Sequence, residues 1–269
     1  MRAILAGVLL ILCSCQHPLS LTSLVQGTAL SASERADFLR QIRERSNEIR
    51  SYRMLCSGHL RYGEQRSGLR YAFVFSAPGS LRIEALPPNA AYTLSVLAVN
   101  EGRVLFLDQQ NKSALKAASG SGALYRALRI PANEQDLPWI IAGRVPPTAL
   151  TNDAQYAVYR NPSGERLYLL DPLGRVLYIV SAASLMLESV QMQDQFNGRE
   201  ALKIELQFDH EGASPQLPHD IELTFPRDDF VLSLSRTSQV LNLPIPERLF
   251  ELQIPGDFEL HELSSARHE

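Results

Sequence analysis

The stretch Leu69-Arg70-Tyr71-Ala72-Phe73-Val74-Phe75 places a large apolar side chain at every second position. Successive side chains of a β-strand point to opposite faces, so this period of two predicts a strand that buries one face. The preceding stretch, from Tyr52 to Tyr62, alternates in the same way. A segment that contains glycine separates the two stretches, and together they predict an antiparallel pair.

The same alternation recurs along most of the chain. It predicts strands over Leu81–Ala85, Tyr92–Val99 and Val104–Leu107, and seven more in the second half, joined by turns rich in Gly and Pro. These seven are Gln155–Arg160, Arg166–Asp171, Arg175–Ser181, Leu187–Gln195, Ala201–Asp209, Asp220–Phe225 and Phe230–Ser238. A meander of about eleven or twelve twisted strands curls, and its edges must be closed or covered.

Three segments follow a helical pattern instead. Ser31 to Arg50 begins with a capping box, Ser31-Ala32-Ser33-Glu34, and carries a narrow apolar stripe. Two short helices are predicted over 123–130 and 134–143, and they hold too much apolar surface for a plain surface loop. The predicted fold class is mainly β (α+β): a curled antiparallel sheet, or incomplete β-barrel, of about 11 strands with an N-terminal helix and a helical lid.

The N-terminus has the pattern of an export signal. Arg2 precedes an unbroken apolar run from Ala3 to Leu12, which is too short to cross about 30 Å of hydrocarbon as a helix. Leu12-Cys13-Ser14-Cys15 resembles the bacterial lipobox, which implies a signal peptide over 1–14, lipid attachment at Cys15 and a lipidated tether over 15–30. Gln16 favours the outer membrane, because the inner-membrane retention signal of enterobacteria is Asp at that place. The alternative is an ordinary signal peptide with incidental cysteines.

Composition narrows the function further. The chain of 269 residues has a formal net charge of −3 with scattered Lys and Arg, so nucleic-acid binding is not expected. After cleavage, Cys15 and Cys56 are the remaining cysteines, and lipidation of Cys15 would leave no disulfide. We expect Cys56 to be a small buried apolar residue rather than a nucleophile.

Catalytic and metal-binding motifs are absent from the sequence. It contains no HExxH spacing, no G-x-S-x-G elbow and no P-loop. We therefore expect no catalytic residue, no metal and no cofactor, and a protein that is not an enzyme. A cluster of buried, hydrogen-bonded polar residues in the cavity would favour an enzyme instead.

The apolar strand faces leave two interpretations open. Leu69, Tyr71, Phe73 and Phe75 could fill a solid sandwich core, or they could line a cavity that binds a ligand. The residues alone do not separate these interpretations.

Four stretches together resemble the LolA/LolB-like lipoprotein carriers and acceptors. They are Phe75–Glu84 with its Ala77-Pro78 crossing, the hairpin Leu94–Asp108, the segment Pro215–Phe225, and the closing stretch Leu249–Gly256. The order of helix, strands, helical pair, strands and extended tail is also similar, over about residues 31–263. The resemblance implies a single domain over 31–269: an incomplete barrel whose helical lid covers a cavity for acyl chains.

Two departures separate the chain from the soluble carriers of this group. The carriers have Arg before the proline, where this chain has Ala77, and this chain resembles the acceptors in being a lipoprotein. The acceptors have a protruding apolar loop, which Leu86 would represent here. The cavity or lid residues that we expect from the pattern and the resemblance are Tyr71, Phe73, Phe75, Leu81, Ile83, Leu86, Leu124, Leu128, Trp139 and Ile140.

Two functions follow from these observations. The first is an outer-membrane lipoprotein, anchored on the periplasmic side, that binds lipid or lipoprotein acyl chains in lipoprotein sorting, insertion or lipid transfer. The second is a non-transport envelope lipoprotein that uses the same fold for protein interaction or stress sensing, because a fold does not define a function. We expect a monomer, with an envelope protein as a further partner.

Overall fold

The structure is a computed structural model of the chain. It describes residues 21–89, 92–128, 130–150, 156–194, 198–209 and 216–263, with only the backbone of residues 127 and 128. The predicted signal peptide and Cys15 lie outside the described residues. Each helix in these ranges is too short or too polar to cross a lipid bilayer.

The described residues form fifteen strands in one sheet. In chain order they are β1 Thr28–Ala29, β2 Ser51–Tyr62, β3 Gln65–Ser76, β4 Ser80–Leu86, β5 Ser95–Asn100, β6 Arg103–Asp108, β7 Ser113–Ala118, β8 Ala157–Arg160, β9 Arg166–Leu170, β10 Val176–Ser181, β11 Leu187–Gln193, β12 Glu200–Gln207, β13 Asp220–Phe225, β14 Phe230–Leu241 and β15 Glu259–Leu263.

The sheet is an open meander. Its spatial order is β1-β8-β9-β10-β11-β12-β13-β14-β2-β3-β4-β5-β6-β7-β15. All pairs are antiparallel except β7 with β15, which run parallel. The predicted class, an incomplete and mainly β barrel, is confirmed, whereas the count of about 11 strands is too low.

The additional strands lack a clear apolar alternation. β7 is rich in alanine, and β15, Glu-Leu-His-Glu-Leu, is exposed along most of its length. Lys116 and Glu262 form an ion pair of 2.9 Å across these two strands. β15 is therefore a strand because it pairs with an edge, and not because it buries a face.

The described helices lie on both faces of this sheet. They are α1 Leu21–Leu24, α2 Ala32–Ser46, α3 Ala123–Leu128 and α4 Leu137–Ile141, with 3-10 turns at Pro147–Leu150 and Glu247–Leu249. The first, α1, packs on one face against Leu170 and Leu177, and the other three α-helices pack on the opposite face, which carries the main core. The capping box at Ser31 and Glu34 is confirmed, since each backbone N–H is bonded by the other side chain.

All three predicted helices are shorter in the structure, and the one predicted over 123–130 ends at Leu128. α2 ends at Ser46 and not at Arg50, because the chain must turn to begin β2 at Ser51. The amide of Asn242 holds that turn, accepting from the Arg50 N–H at 2.8 Å and donating to the Glu48 carbonyl at 2.8 Å. The helix predicted over 134–143 is reduced to Leu137–Ile141, with Pro138 in its first turn.

Residues 21–30 are docked on the domain and do not form a free tether. Leu21 is 2% exposed and packs against Leu170 and Leu177. β1 pairs with β8, and the Leu30 N–H donates to the Val158 carbonyl at 2.9 Å. The tether predicted over 15–30 therefore does not extend over residues 21–30.

A close approach at Gly27 allows this docking. A Cβ at Gly27 would lie 2.3 Å from the carbonyl oxygen of Arg160 in β8. We expect Gly27→Ala to displace β1 and to lower the free energy of unfolding by about 1–3 kcal/mol, the usual cost of overpacking. Urea denaturation and limited proteolysis near residue 25 measure this. Gly256→Ala is the matched control, since no atom lies within 4 Å of its added Cβ; equal stability of both variants would contradict the docking.

Cys56 lies inside the main core, as predicted. Its side chain is 2% exposed, and burial raises the pKa of the thiol to about 12. Since the thiolate is the reactive form, the native thiol should be inert at pH 8. In a protein that begins at Gln16, we expect a thiol reagent to modify Cys56 only after denaturation. Rapid modification of the native protein would show that the core around β2 opens easily.

Candidate functional site: an apolar cavity under the lid

The concave face of the sheet is built by rows of inward-pointing apolar side chains. Strand register aligns Phe73 with Ile83, Ile83 with Leu97, and Leu97 with Phe106 across β3 to β6. Because side chains alternate along each strand, the neighbours of these residues in sequence point outward. One continuous apolar wall results.

A second wall comes from the other half of the chain. Leu60 of β2 is in register with Leu232 of β14, which is in register with Leu223 of β13 and so with Ile204 of β12. Phe225 and Phe230 meet edge to face, with ring centroids 5.1 Å apart, at the far end of the wall. The pairing of β14 with β2 makes the two walls one surface.

The lid is the segment over 130–145, which follows α3 and contains α4. Every residue of α4 is buried, and Ile130, Leu137, Ile140 and Ile141 face the walls. A helix that is apolar on all sides needs protein contact on all sides, which the curled sheet supplies here.

Hydrogen bonds fix the lid to three other elements. The Tyr52 hydroxyl of β2 donates to the Pro138 carbonyl at 3.0 Å. The Leu187 N–H of β11 donates to the Gly143 carbonyl at 3.0 Å, and the Ser46 hydroxyl of α2 donates to the Val145 carbonyl at 3.0 Å. The lid therefore has a defined position over the sheet.

A buried arginine follows the lid helix. Arg144 is fully buried, and its guanidinium donates to the carbonyl oxygens of Gly143 at 3.2 Å and Gln216 at 3.5 Å. Burial lowers the pKa of Arg144 to about 10, and the nearby charge of Arg45 acts in the same direction. Carbonyl oxygens compensate a buried cation only in part, so this side chain costs stability.

Between lid and sheet lies a cavity of about 380 Å³. This volume falls in the usual range of small-molecule sites, about 300–1,000 Å³. The lining side chains are mostly aliphatic or aromatic, and the polar ones, Ser95, Asp108 and Gln110, lie at one end. The apolar lining comprises Leu60, Leu69, Tyr71, Phe73, Ile83, Ala85, Leu94, Leu97, Phe106, Ile130, Leu137, Ile140, Ile141, Ile204, Ile221, Leu223, Phe225, Phe230, Leu232 and Leu234.

The other half of the concave face is filled with protein. The ring of Phe75 lies 5.2 Å from that of Tyr52 and 5.1 Å from that of Trp139, centroid to centroid. Leu81, opposite Phe75 in the neighbouring strand, is completely buried. These residues close one end of the cavity.

Only some of the predicted cavity residues line the cavity. Tyr71, Phe73, Ile83 and Ile140 line the cavity. Phe75, Leu81, Leu124 and Trp139 are buried in the core without lining it, and Leu86 is half-buried at the end of β4. The side chain of Leu128 and all of Cys15 lie outside the described residues.

The residues of β12 to β14 that line the cavity were not among those predicted from the sequence. The signal was present, because Ile221, Leu223 and Phe225 alternate with polar residues, as do Leu232 and Leu234. It showed that these strands bury one face, but the partner across the cavity depends on the pairing of β14 with β2. The polar end at Ser95, Asp108 and Gln110 had no signal in the sequence.

Gly58 sets the position of Tyr71 in the cavity wall. A Cβ at Gly58 would lie 2.6 Å from Cε2 of the Tyr71 ring and 3.2 Å from Cδ2 of Leu234. Burial raises the pKa of Tyr71 to about 12, so its hydroxyl is neutral at physiological pH. The edge of the ring can lie this close to β2 because Gly58 has no side chain.

We expect Gly58→Ala to push the Tyr71 ring into the cavity and to destabilise the protein by about 1–3 kcal/mol. The penalty should fall in the Tyr71→Leu background, where the ring is absent, and a double-mutant cycle in urea measures this coupling. Gly68→Ala in β3 is the control, because its nearest neighbour would be an ordinary contact at 3.8 Å. Additive penalties for Gly58 and Tyr71 would contradict this packing.

Metal-ligand geometry is not found in the described part of the chain. No group of three or more His, Cys, Asp or Glu side chains there could hold a metal ion. The chemistry of the cavity is that of an apolar container with polar groups at one end.

Solved structures of other proteins are similar to this fold. A LolA superfamily protein from Nitrosomonas europaea aligns with a TM-score of 0.53 at 13% identity, over 80% of this chain and 97% of its own. A domain from Vibrio parahaemolyticus, described as an outer membrane lipoprotein-sorting protein, aligns with a TM-score of 0.57 at 10% identity, over 82% and 97%. The chain has the LolA/LolB-like fold.

A DUF1329 family protein from Desulfovibrio piger is similar to the same extent, with a TM-score of 0.58 at 10% identity over 81% of this chain and 96% of its own. No protein-family model and no curated protein sequence matches the chain. Identities this low show the fold alone. The LolA/LolB-like fold predicted from the four sequence stretches is thereby confirmed.

Proposed function

We propose that this protein is an envelope lipoprotein that binds a lipid or lipoprotein acyl chain in the cavity under its lid. The cavity of about 380 Å³ between the sheet and α4, with a predominantly apolar lining, carries this proposal. The LolA/LolB-like fold supports it, because one of the similar structures is described as an outer membrane lipoprotein-sorting protein.

The energetics favour an acyl chain as the occupant. Each methylene that moves from water into an apolar site contributes about 0.8 kcal/mol, so ten methylenes contribute about 8 kcal/mol before the entropy of binding is subtracted. A polar substrate would gain little from these walls. Among the described residues that line the cavity, no nucleophile is hydrogen-bonded to a base, and binding without chemistry is the function that these residues support best.

The proposed anchor at Cys15 would hold the cavity close to a membrane surface. Since residues 21–30 are docked, only residues 16–20 remain between Cys15 and the domain. Five residues of chain span at most about 18 Å whatever their conformation. A domain held so near the outer membrane could exchange an acyl chain with it over a short distance.

Native mass spectrometry with lipid extraction tests the proposal directly. The protein that begins at Gln16 keeps every described residue, and purified from the periplasm it should carry co-purified lipid or acylated peptide. It should also bind a long-chain polyene alcohol, whose fluorescence rises in an apolar site. A protein that is purified without lipid, and that then takes up neither added lipid nor the polyene alcohol, would refute the proposal and favour the interaction or stress-sensing alternative.

A substitution that fills the cavity should block binding. Ala85 lines the cavity on β4, in register with Tyr71 and Ser95. We expect Ala85→Phe to weaken binding of the polyene alcohol at least about tenfold, because its ring displaces two or more methylenes of about 0.8 kcal/mol each.

Ala72→Phe is the matched control for this titration. Ala72 adjoins Tyr71 on β3 but lies on the outer face, in register with Leu55, which is 49% exposed. Unchanged affinity in Ala72→Phe together with lost affinity in Ala85→Phe would locate the chain inside the sheet. Equal effects of the two substitutions would place it elsewhere.

A further inference from the structure

A second cavity, polar in character, lies beside the lid. Its volume is about 630 Å³, and it is bounded by the loop between β7 and α3, by lid residues 130–134, and by the ends of β9 to β11. Its lining includes Glu134, Ser121, Arg126 and Arg175, in contrast to the apolar cavity.

Glu134 is a buried carboxylate, and one of its oxygens accepts no hydrogen bond from the described residues. The residue is 1% exposed, and its Oε2 accepts the Gly120 N–H at 3.0 Å. Its Oε1 has no hydrogen-bond partner among the described residues. An unpaired oxygen of a buried carboxylate is costly, and a donor that reached this atom from the cavity would remove that cost.

Two hydroxyl groups in the loop that contacts Glu134 also lack a hydrogen-bond partner among the described residues. The hydroxyls of Ser119 and Ser121 are buried without a partner in the described part of the chain. Gly120 and Gly122 have φ of +80° and +73°, a left-handed conformation that turns the loop around these serines. Three polar groups that lack partners therefore lie within one short loop and the lid residue that it contacts.

The other charged groups of this cavity divide into two kinds. The acids Asp171 and Asp194 are engaged: Asp171 accepts the Val176 N–H at 2.7 Å, and Asp194 pairs with Arg227 at 2.6 Å. Arg126 and Arg175 are exposed at the rim. The cavity thus offers a buried anion, Glu134, together with cations at its edge.

Ile130 lines both cavities. The two cavities therefore adjoin at this side chain, and a molecule with an apolar chain and a polar head would occupy both where Ile130 moves aside. We propose that the second cavity binds the headgroup of a zwitterionic, amine-bearing phospholipid, one of whose acyl chains lies in the apolar cavity. Its ammonium donates to Glu134, and its phosphate lies near Arg126 and Arg175.

This inference rests on the proposed function and names its ligand class. An N-acylated lipoprotein terminus carries an amide in place of an amine, so it has no ammonium to offer to Glu134. Phosphatidylglycerol has the phosphate but no cation. The geometry therefore selects an ethanolamine-type phospholipid over both.

Competition between two phospholipids tests the selection. Vesicles of phosphatidylethanolamine and phosphatidylglycerol with identical chains are offered to the protein that begins at Gln16, and native mass spectrometry counts the bound lipids. We expect a preference for phosphatidylethanolamine of at least about tenfold, the range of a hydrogen bond to a charged group. Equal uptake of the two would overturn the inference.

Glu134→Gln should abolish this preference while binding of the polyene alcohol stays unchanged. Glu247→Gln, at an exposed site remote from the lining, is the matched control and should keep the preference. A preference that survives Glu134→Gln would refute the role of Glu134. Failure of the unsubstituted protein to bind the alcohol would refute the proposed function itself, so the two failures are distinguishable.

A second variant avoids the buried site, in case Glu134→Gln does not fold. Arg175 is exposed, so Arg175→Gln should fold normally and weaken binding of both phospholipids several-fold without affecting the alcohol. Unchanged phospholipid binding would contradict the phosphate position. Competition by soluble glycerophosphoethanolamine as strong as that of the whole lipid would show a free headgroup as the ligand and overturn the two-cavity assignment.

Discussion

The pairing of β14 with β2 is the constraint on which the rest of the structure depends. It runs from Phe230 opposite Tyr62 to Leu241 opposite Tyr52, and it joins the strands of the first half of the chain to those of the second. Without it, the two meanders would be separate small sheets, each with an exposed edge. Forming it closes a loop of well over a hundred residues, which costs conformational entropy. We therefore expect this pairing to form late in folding.

The joined sheet has more concave apolar surface than its short helices can fill. At one end, Tyr52, Phe75 and Trp139 interlock and leave no space. At the other end, small side chains such as Ala85 and Ser95 line the cavity, and Gly58 lets a tyrosine ring approach its strand closely. Protein interiors normally pack without voids of this size, so an open apolar volume lowers stability. Its presence under a fixed lid is the physical argument for a ligand.

Two cavities of opposite character share Ile130, and this arrangement matches the shape of an amphipathic molecule. In the proposed complex, the apolar cavity would supply the area that drives binding, whereas the polar cavity would supply charges that discriminate between headgroups. Burying Glu134 with an unused oxygen costs free energy in the empty protein. That cost is recovered only when a donor arrives, so the site can be selective even though the acyl chain provides most of the affinity.

The sequence by itself determined the mainly β class, most of the strands, the capped helix at Ser31 and the inward direction of Tyr71 and Phe73. Each of these depends on local periodicity or on a contact within one turn of helix. The tertiary structure alone decided that β7 and β15 pair, that residues 21–30 dock, and that Phe75 and Trp139 fill space while Phe73 and Ile140 border it. It also decided where Glu134 lies. All of these bring together residues that are far apart in the chain. Alternation shows which face of the sheet a side chain takes, but not which residue lies opposite to it.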